Sequence, residues 1–106
     1  HRFTLIYLHA FEQKGDVYLE GDTCYPWTKG GDCAPGLRTV FPTADLMQQP
    51  WGDTAPSWYM YERPDRNKAG NRREDRQALK STRQRLAGII EEEVERLGGD
   101  GERVFL

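Results

Sequence analysis

Residues Arg72 to Gly99 read RREDRQALKSTRQRLAGIIEEEVERLGG and are followed by RVFL at residues 103–106. The apolar residues of this stretch recur at spacings of seven, four, four and three, which places them on one stripe of a helix. They are Leu79, Leu86, Ile90, Val94 and Leu97. We predict an α-helix over Arg72–Leu97, with Leu79, Leu86, Ile90 and Val94 buried.

The two ends of this helix carry their own signals. Asn71, with Glu74 three residues later, resembles a capping box, in which the two side chains satisfy free N–H groups of the first turn. Gly98 and Gly99 supply the left-handed backbone on which many helices end. The RVFL segment then predicts a strand directly after the helix.

Two more segments have the composition of strands. Phe3–Leu8 is a nearly continuous apolar run of β-forming residues, typical of a strand covered on both faces in a parallel sheet. Leu37–Phe41 is closed by Pro42, which cannot donate to a ladder. Because Arg103–Leu106 follows the helix, the order strand, helix, strand requires a parallel sheet with a crossover. We predict a three-layer α/β fold with a mostly parallel sheet.

The connections between these elements are long. Residues Ala10–Gly36 are rich in glycine, and their apolar members fit either a short helix or a lid: Phe11, Val17, Tyr18, Leu19 and Trp27. Residues 42–61 combine three prolines with four aromatic residues, Pro42, Pro50, Pro56, Trp51, Trp58, Tyr59 and Tyr61. That proline content predicts an irregular segment rather than a helix or strand, and its aromatic side chains suit the wall of a pocket.

Length and charge exclude several classes of protein. A chain of 106 residues forms one domain at most. Fifteen Lys and Arg residues against 17 Asp and Glu residues give a net charge of -2, so no overall field attracts nucleic acid or an anionic membrane. No apolar run approaches the roughly 20 residues of a membrane-spanning helix. We expect a soluble intracellular protein with no nucleic-acid partner and no transmembrane segment.

The charges are nevertheless separated along the chain. Residues 62–85 hold nine basic and four acidic side chains, whereas residues 91–102 hold six acidic side chains and one basic. The aromatic residues precede the basic block instead of being interleaved with it, so a solvated helix face is favoured over a nucleic-acid surface. Both blocks lie unfavourably with respect to the helix dipole.

His9 and the two cysteines have competing interpretations. His9 directly follows the first strand, at the end where open α/β sheets place ligands, although a histidine at a strand end is more often structural. Cys24 and Cys33 lie in the glycine-rich loop, where a local disulfide and two free thiols both remain open and thiols are favoured. A zinc site with His9 lacks the usual ligand spacing, so we expect no metal and no cofactor.

Several segments, taken in order, resemble one family. They are the His9-Ala10-Phe11 end of the first strand, the Thr39-Val40-Phe41-Pro42 strand, the Ala55-Pro56-Ser57-Trp58-Tyr59 segment, the helix, and the Arg103–Leu106 strand. This arrangement is similar to the acyl-protein thioesterase, phospholipase and carboxylesterase family of the α/β-hydrolase fold. Val104-Phe105-Leu106 resembles the strand that enters the G-x-S-x-G nucleophile elbow of that family.

The resemblance implies roles for individual residues. In the family the residue after a His-Gly pair provides a backbone oxyanion donor, which is the N–H of Phe11 here, and His9 matches the histidine of that loop rather than the triad base. Ala10 replaces the family glycine. Trp58, Phe11 and Trp51 become candidate wall residues of the acyl pocket. Ser57 has no elbow around it and is not expected to be the nucleophile.

The function that the resemblance implies is ester or thioester hydrolysis through an acyl-enzyme. Residues 1–106 would be the N-terminal portion of a single hydrolase domain, truncated before the elbow and not catalytic alone. The partner would then be the remainder of that domain, or another chain, covering an open sheet. The alternative is a noncatalytic interaction subunit of a larger assembly, built on a hydrolase-derived scaffold.

Overall fold

A computed structural model describes residues 1–18, 35–60 and 75–106. These residues form a mixed α/β arrangement, with 3-10 turns at Gly15–Tyr18 and Gly101–Arg103. Its strands and its helix are β1 (Phe3–Ile6), β2 (Leu37–Val40), β3 (Leu46–Gln48), β4 (Thr54–Pro56), α1 (Arg76–Arg96) and β5 (Val104–Phe105).

The main sheet has the order β2-β1-β5, and both of its strand pairs are parallel. In its register Phe3 lies opposite Leu37, and Leu5 lies opposite Thr39 on one side and Phe105 on the other. The predicted parallel sheet is therefore confirmed. Its strands are shorter than predicted: β1 ends at Ile6, β2 at Val40, and Arg103 belongs to the preceding turn.

The two faces of this sheet are covered unequally. Thr4 and Ile6 of β1 are buried, whereas Phe3 is 41% exposed and Phe105 is 50% exposed, with their rings 6.3 Å apart. This alternation is typical of a strand with one buried face. Within the described ranges α1 is the one α-helix, so the second helix layer of the predicted three-layer fold is not found among these residues. β1 is covered on one face and not, as expected, on both.

The helix α1 begins later than the periodicity indicated. Asp75 is extended (φ -66°, ψ 119°) and its carboxylate accepts the N–H of Ala78 at 2.8 Å, so α1 begins at Arg76 rather than Arg72. Asp caps a helix as well as Asn does. The predicted Asn71–Glu74 capping box lies outside the described residues. At the other end, Gly98 and Gly99 have φ of +71° and +90°, which confirms the predicted left-handed stop.

The predicted burial of the four helix residues is wrong. Leu79, Leu86, Ile90 and Val94 are only half-buried, whereas Leu97 is 6% exposed. A helix of 21 residues is about 31 Å long at 1.5 Å per residue, and strands of four, four and two residues are too short to cover it. The most completely buried residue of the helix is charged: Glu93 faces the sheet and is 3% exposed.

Glu93 joins α1 to two strands at once. Its carboxylate accepts hydrogen bonds from Thr4 Oγ1 of β1 at 3.2 Å and from Arg38 Nε and Nη2 of β2 at 2.9 and 3.2 Å. Arg96 Nε adds an ion pair at 3.3 Å. Burial raises the pKa of Glu93, but the hydrogen bonds and charge of Arg38, together with Thr4 and Arg96, outweigh burial and leave that pKa below its ordinary value.

The segment 42–61, expected to be irregular, contains a hairpin. β3 and β4 pair antiparallel, with Met47 opposite Ala55 and Leu46 opposite Pro56. Proline is compatible with this pairing because both strands of a two-stranded sheet are edges and Pro56 is the last residue of β4. Pro50 lies in the connecting turn, where Gly52 has φ +106°.

The long Gly-rich connection is described only in part. It holds the 3-10 turn Gly15–Tyr18, in agreement with one of the two expected forms. Outside the described residues lie Leu19, Trp27, Cys24 and Cys33. The predicted choice between a disulfide and two free thiols therefore stays open. In the part of the chain that the structure describes, no helix has the length and apolar character needed to span a bilayer.

The Glu93 cluster leads to a pH-dependent prediction. Because the folded-state pKa of Glu93 lies below the value of about 4.3 expected for the unfolded chain, its charged form stabilises the fold at neutral pH, and that stabilisation is lost as the pH falls through the glutamate range. Glu93→Gln should lower the free energy of unfolding by about 2 kcal/mol at pH 7 and by much less at pH 2 to 3. Urea unfolding at both pH values measures this.

The control is Glu92→Gln, one residue away on the exposed side of α1. It should change the free energy of unfolding by less than about 0.5 kcal/mol at either pH. An equal loss for Glu93→Gln at pH 7 and at pH 2 to 3 would contradict a charged carboxylate as the element that joins helix and sheet.

Candidate functional site

A cavity of about 270 Å³ lies at the carboxyl end of β1. It is lined by His9, Ala10, Phe11, Ser57, Trp58 and Tyr59. Parallel α/β sheets place their ligands at this end of their strands. Two segments that the sequence singled out, the His9-Ala10-Phe11 loop and the Ser57-Trp58-Tyr59 segment, therefore meet around one cavity.

The loop after β1 closes with a tight turn. The N–H of Gln13 donates to the carbonyl of Ala10 at 3.1 Å, and Glu12, third of the four turn residues, has φ +66°. Positive φ at this position is the mark of a type II turn, where glycine is usual. Ala10 itself has no positive φ, so the replacement of the family glycine by alanine is sterically compatible with this loop.

His9 fastens the loop to the chain beyond β2. It is 3% exposed, its Nε2 accepts the N–H of Ala44 at 2.9 Å, and its Nδ1 lies 2.7 Å from the carbonyl of Ala10. Since Nε2 accepts, Nδ1 carries the proton and donates to Ala10. Both ring nitrogens are thus occupied by backbone groups, which makes His9 a positioning residue here and leaves it no free nitrogen to act as a base.

Trp58 holds the same loop from the opposite side. Its indole Nε1 donates to the carbonyl of His9 at 2.9 Å, and its ring lies 4.9 Å from the His9 ring, tilted by 36°. Thr82 of α1 donates its hydroxyl to the carbonyl of Trp58. The wall of the cavity is therefore tied both to the β1 loop and to the helix.

The hairpin supplies the remaining supports. The N–H of Glu12 donates to the carbonyl of Pro56 at 3.3 Å, and the N–H of Ser57 donates to the backbone carbonyl of Asp45 at 3.0 Å. Gln49, 2% exposed, donates its amide to the carbonyl of Tyr59 at 3.1 Å. Both rims of the cavity are thus bonded to the β3-β4 hairpin, which sequence reasoning missed.

Among the backbone N–H groups of this turn, that of Phe11 has no acceptor within the described residues. The N–H groups of Glu12 and Gln13, its neighbours, have acceptors, whereas within the described ranges the N–H of Phe11 donates to none. An unpaired backbone N–H in a loop fixed by its neighbours is suited to receive a negatively charged oxygen. Phe11 was the residue that the sequence singled out as the oxyanion donor.

The aromatic candidates differ in their placement. Trp58 and Phe11 line the cavity, with Phe11 44% exposed. Trp51, 40% exposed on the hairpin turn, packs its ring 6.2 Å from that of Phe11 at 62° and lies outside the lining itself. Tyr59, which was grouped with the aromatic segment but not chosen as a site residue, does line the cavity.

Ser57 lies at the cavity without the setting of a nucleophile. It is 2% exposed, and its hydroxyl donates to the carbonyl of Ala55 at 2.9 Å. An activated serine needs a base that takes this proton, and the nitrogens of nearby His9 are both occupied. Ser57 therefore contributes to the packing of the cavity wall.

Arg85 of α1 is a supporting residue that sequence reasoning missed. It donates Nη2 to the carbonyl of Thr43 at 2.7 Å and pairs Nη1 with Asp45 at 3.2 Å. Thr43 and Asp45 flank Ala44, whose N–H bonds to His9. No local pattern identifies Arg85, because its partners are about 40 residues away in sequence.

The described residues provide no set of metal ligands. Within residues 1–18, 35–60 and 75–106 no group of three His, Cys, Asp or Glu side chains is placed to hold a metal ion. The zinc alternative that combined His9 with Cys24 and Cys33 involves residues outside the described ranges.

Comparison of the chain with protein-family models, with curated proteins and with solved structures gives no match. The geometry of the cavity and the residues that hold it are therefore the observations that bear on function.

The two bonds of His9 lead to a prediction on stability. His9→Ala removes both ring contacts and leaves the N–H of Ala44, a residue 5% exposed, without an acceptor. An unsatisfied buried donor costs about 1 to 3 kcal/mol, so we expect a loss of about 2 to 3 kcal/mol in the free energy of unfolding. His1→Ala, at the exposed end of the chain, is the control and should be neutral. Equal urea midpoints for the two variants would contradict the fastening role of His9.

Proposed function

We propose that this chain provides the oxyanion loop and one wall of the acyl pocket of an α/β-hydrolase that cleaves esters or thioesters through an acyl-enzyme. The observation that carries the proposal is the N–H of Phe11, a residue that lines the cavity, which donates to no acceptor among the described residues. A preorganised donor aimed at a developing alkoxide lowers an acyl-transfer barrier by about 3 kcal/mol.

The strand order supports the same proposal. In the α/β-hydrolase fold the nucleophile stands on a strand-to-helix turn, and a second oxyanion N–H comes from the loop after a different strand. Here β1 lies between β2 and β5, and all three are parallel, so the carboxyl ends of β1 and β5 meet at one edge of the sheet. A nucleophile elbow after β5 would stand beside the Phe11 loop.

Each site residue then has a defined part. The N–H of Phe11 binds the oxyanion, and His9 positions that N–H through its two backbone bonds. Trp58 walls the acyl pocket, and Phe11 with its neighbour Trp51 forms the outer rim. The nucleophile, the acid and the base of the triad would come from the remainder of the hydrolase domain or from another chain.

One observation favours a second candidate, a noncatalytic interaction subunit. Phe3, Phe105 and Leu106 are 41%, 50% and 68% exposed beside the β1-β5 pair. Exposed apolar side chains on a sheet call for a covering partner. The rest of a hydrolase domain would provide that cover, and so would a different subunit, in which case the cavity would have no catalytic role.

Labelling by a fluorophosphonate separates the two candidates. The isolated 106-residue chain should not be labelled, because its cavity holds a donor but no activated serine. The protein as it occurs in its source, captured through this chain, should be labelled at a serine outside residues 1–106 and should hydrolyse short-chain thioesters. Labelling at Ser57, or a source protein that is never labelled, would contradict the hydrolase proposal.

Within the labelled protein, Trp58→Ala should lower kcat/KM for the preferred acyl chain by about 10-fold to 100-fold, because the pocket loses a wall and the carbonyl of His9 in the loop loses its indole donor. Labelling should persist, since the nucleophile is untouched. The control Trp51→Ala, on the outer rim, should change kcat/KM less than threefold.

A further inference from the structure

The solvent-facing side of α1 carries two separated groups of exposed charges. The basic group near its start is Arg76, Lys80 and Arg83, and the acidic group near its end is Glu91, Glu92 and Glu95. None of these six side chains has an ion pair within the part of the chain that the structure describes. The three remaining charged residues of α1 each form an ion pair: Arg85, Glu93 and Arg96.

This arrangement is unfavourable within a single chain. Arg76 lies in the first turn, at the positive end of the helix dipole, and Glu95 lies in the last turn, at the negative end. Arg76 with Lys80, and Glu91 with Glu95, are like charges four residues apart, which repel on a helix surface. Opposite charges outside α1 would offset both the unfavourable dipole interactions and the repulsion between like charges.

Four of these charges, Arg76, Lys80, Glu91 and Glu95, lie on one stripe of α1 that faces away from Glu93. Arg76, Lys80, Gln84, Ala87, Glu91 and Glu95 follow one another at spacings of three or four residues and are all exposed. Glu93, which contacts the sheet, is two residues from both Glu91 and Glu95, about 200° around the helix. The stripe is therefore free of the contacts that hold α1 to β1 and β2.

We propose that this stripe binds a second copy of the chain, with the two α1 helices antiparallel. A two-fold axis that sets Gln84 opposite Ala87 of the second copy also sets Lys80 opposite its Glu91 and Arg76 opposite its Glu95. Because a two-fold interface repeats each contact, four opposite-charge pairs form. The same orientation places each helix dipole against its opposite.

The surface around the centre of this stripe allows close approach. Ala87 and Gly88 are exposed, and a Cβ at Gly88 would meet no atom within 4 Å. The basic half borders a shallow groove lined by Arg76, Leu79, Lys80, Arg83 and Gln84. One helix face buries little area, so the dimer should be weak and should weaken further as salt screens its charges.

Reciprocal charge reversal tests the proposal. One variant carries Arg76→Glu and Lys80→Glu, and the other carries Glu91→Lys and Glu95→Lys; circular dichroism checks that both remain folded. By sedimentation velocity at roughly 20 mM salt, the wild-type chain should approach twice its 12.3 kDa mass as concentration rises, and each variant alone should associate at least about tenfold more weakly.

Mixing the two variants should restore the dimer, because each reversed stripe is then complementary to the other. Lys14→Glu, an exposed charge reversal away from α1, should dimerise like the wild type. A wild-type chain that stays monomeric at low salt, or variants that dimerise alone as well as the wild type does, would overturn the proposal. So would a mixture that fails to form the heterodimer.

Discussion

The buried carboxylate of Glu93 holds α1 against the main sheet. It binds Thr4 of β1 and Arg38 of β2, so one side chain of α1 fixes the helix against two adjacent strands. The apolar core within the described ranges is small, its buried members being Ile6, Ala44, Ala55 and Leu97. With so little buried apolar surface, the arrangement of helix and strands has to keep Glu93 paired, because an unpaired buried carboxylate would be strongly destabilising.

The position of α1 in turn determines the geometry of the cavity. From the fixed helix, Thr82 reaches the carbonyl of Trp58, and Arg85 holds Thr43 and Asp45 on either side of the residue that bonds His9. The cavity is thus supported by a helix, a hairpin and the end of β1 together. Gly15 adds to this close fit, since a Cβ there would lie 2.1 Å from the carbonyl oxygen of Phe41. Preorganisation of this kind is what an oxyanion site requires.

Much of the fold could be predicted from local patterns, but the contacts of the site could not. Periodicity and the Gly98-Gly99 stop identified α1, and apolar runs identified β1, β2 and β5. The hairpin was missed because proline was weighed against any strand, whereas an edge strand accepts it at its end. Glu93 had a detectable signal: it follows Leu86 and Ile90 and precedes Leu97 at spacings of four, three and four, on the apolar stripe itself. Ala44, which donates to His9 Nε2, is 35 residues from it, and the partners of Arg85 are 40 and 42 residues from it, so no local pattern indicates these contacts.

The turn after β1 is held in place, whereas the N–H of Phe11 has no acceptor among the described residues. Amide hydrogen exchange of the ¹⁵N-labelled chain tests this arrangement most directly, because it reports on each N–H separately. We expect the amides of Glu12 and Gln13 to be protected by their bonds to Pro56 and Ala10, and the amide of Phe11 to exchange near the rate of an open peptide. Protection of Phe11 equal to that of Gln13, or an unprotected Gln13, would contradict this arrangement.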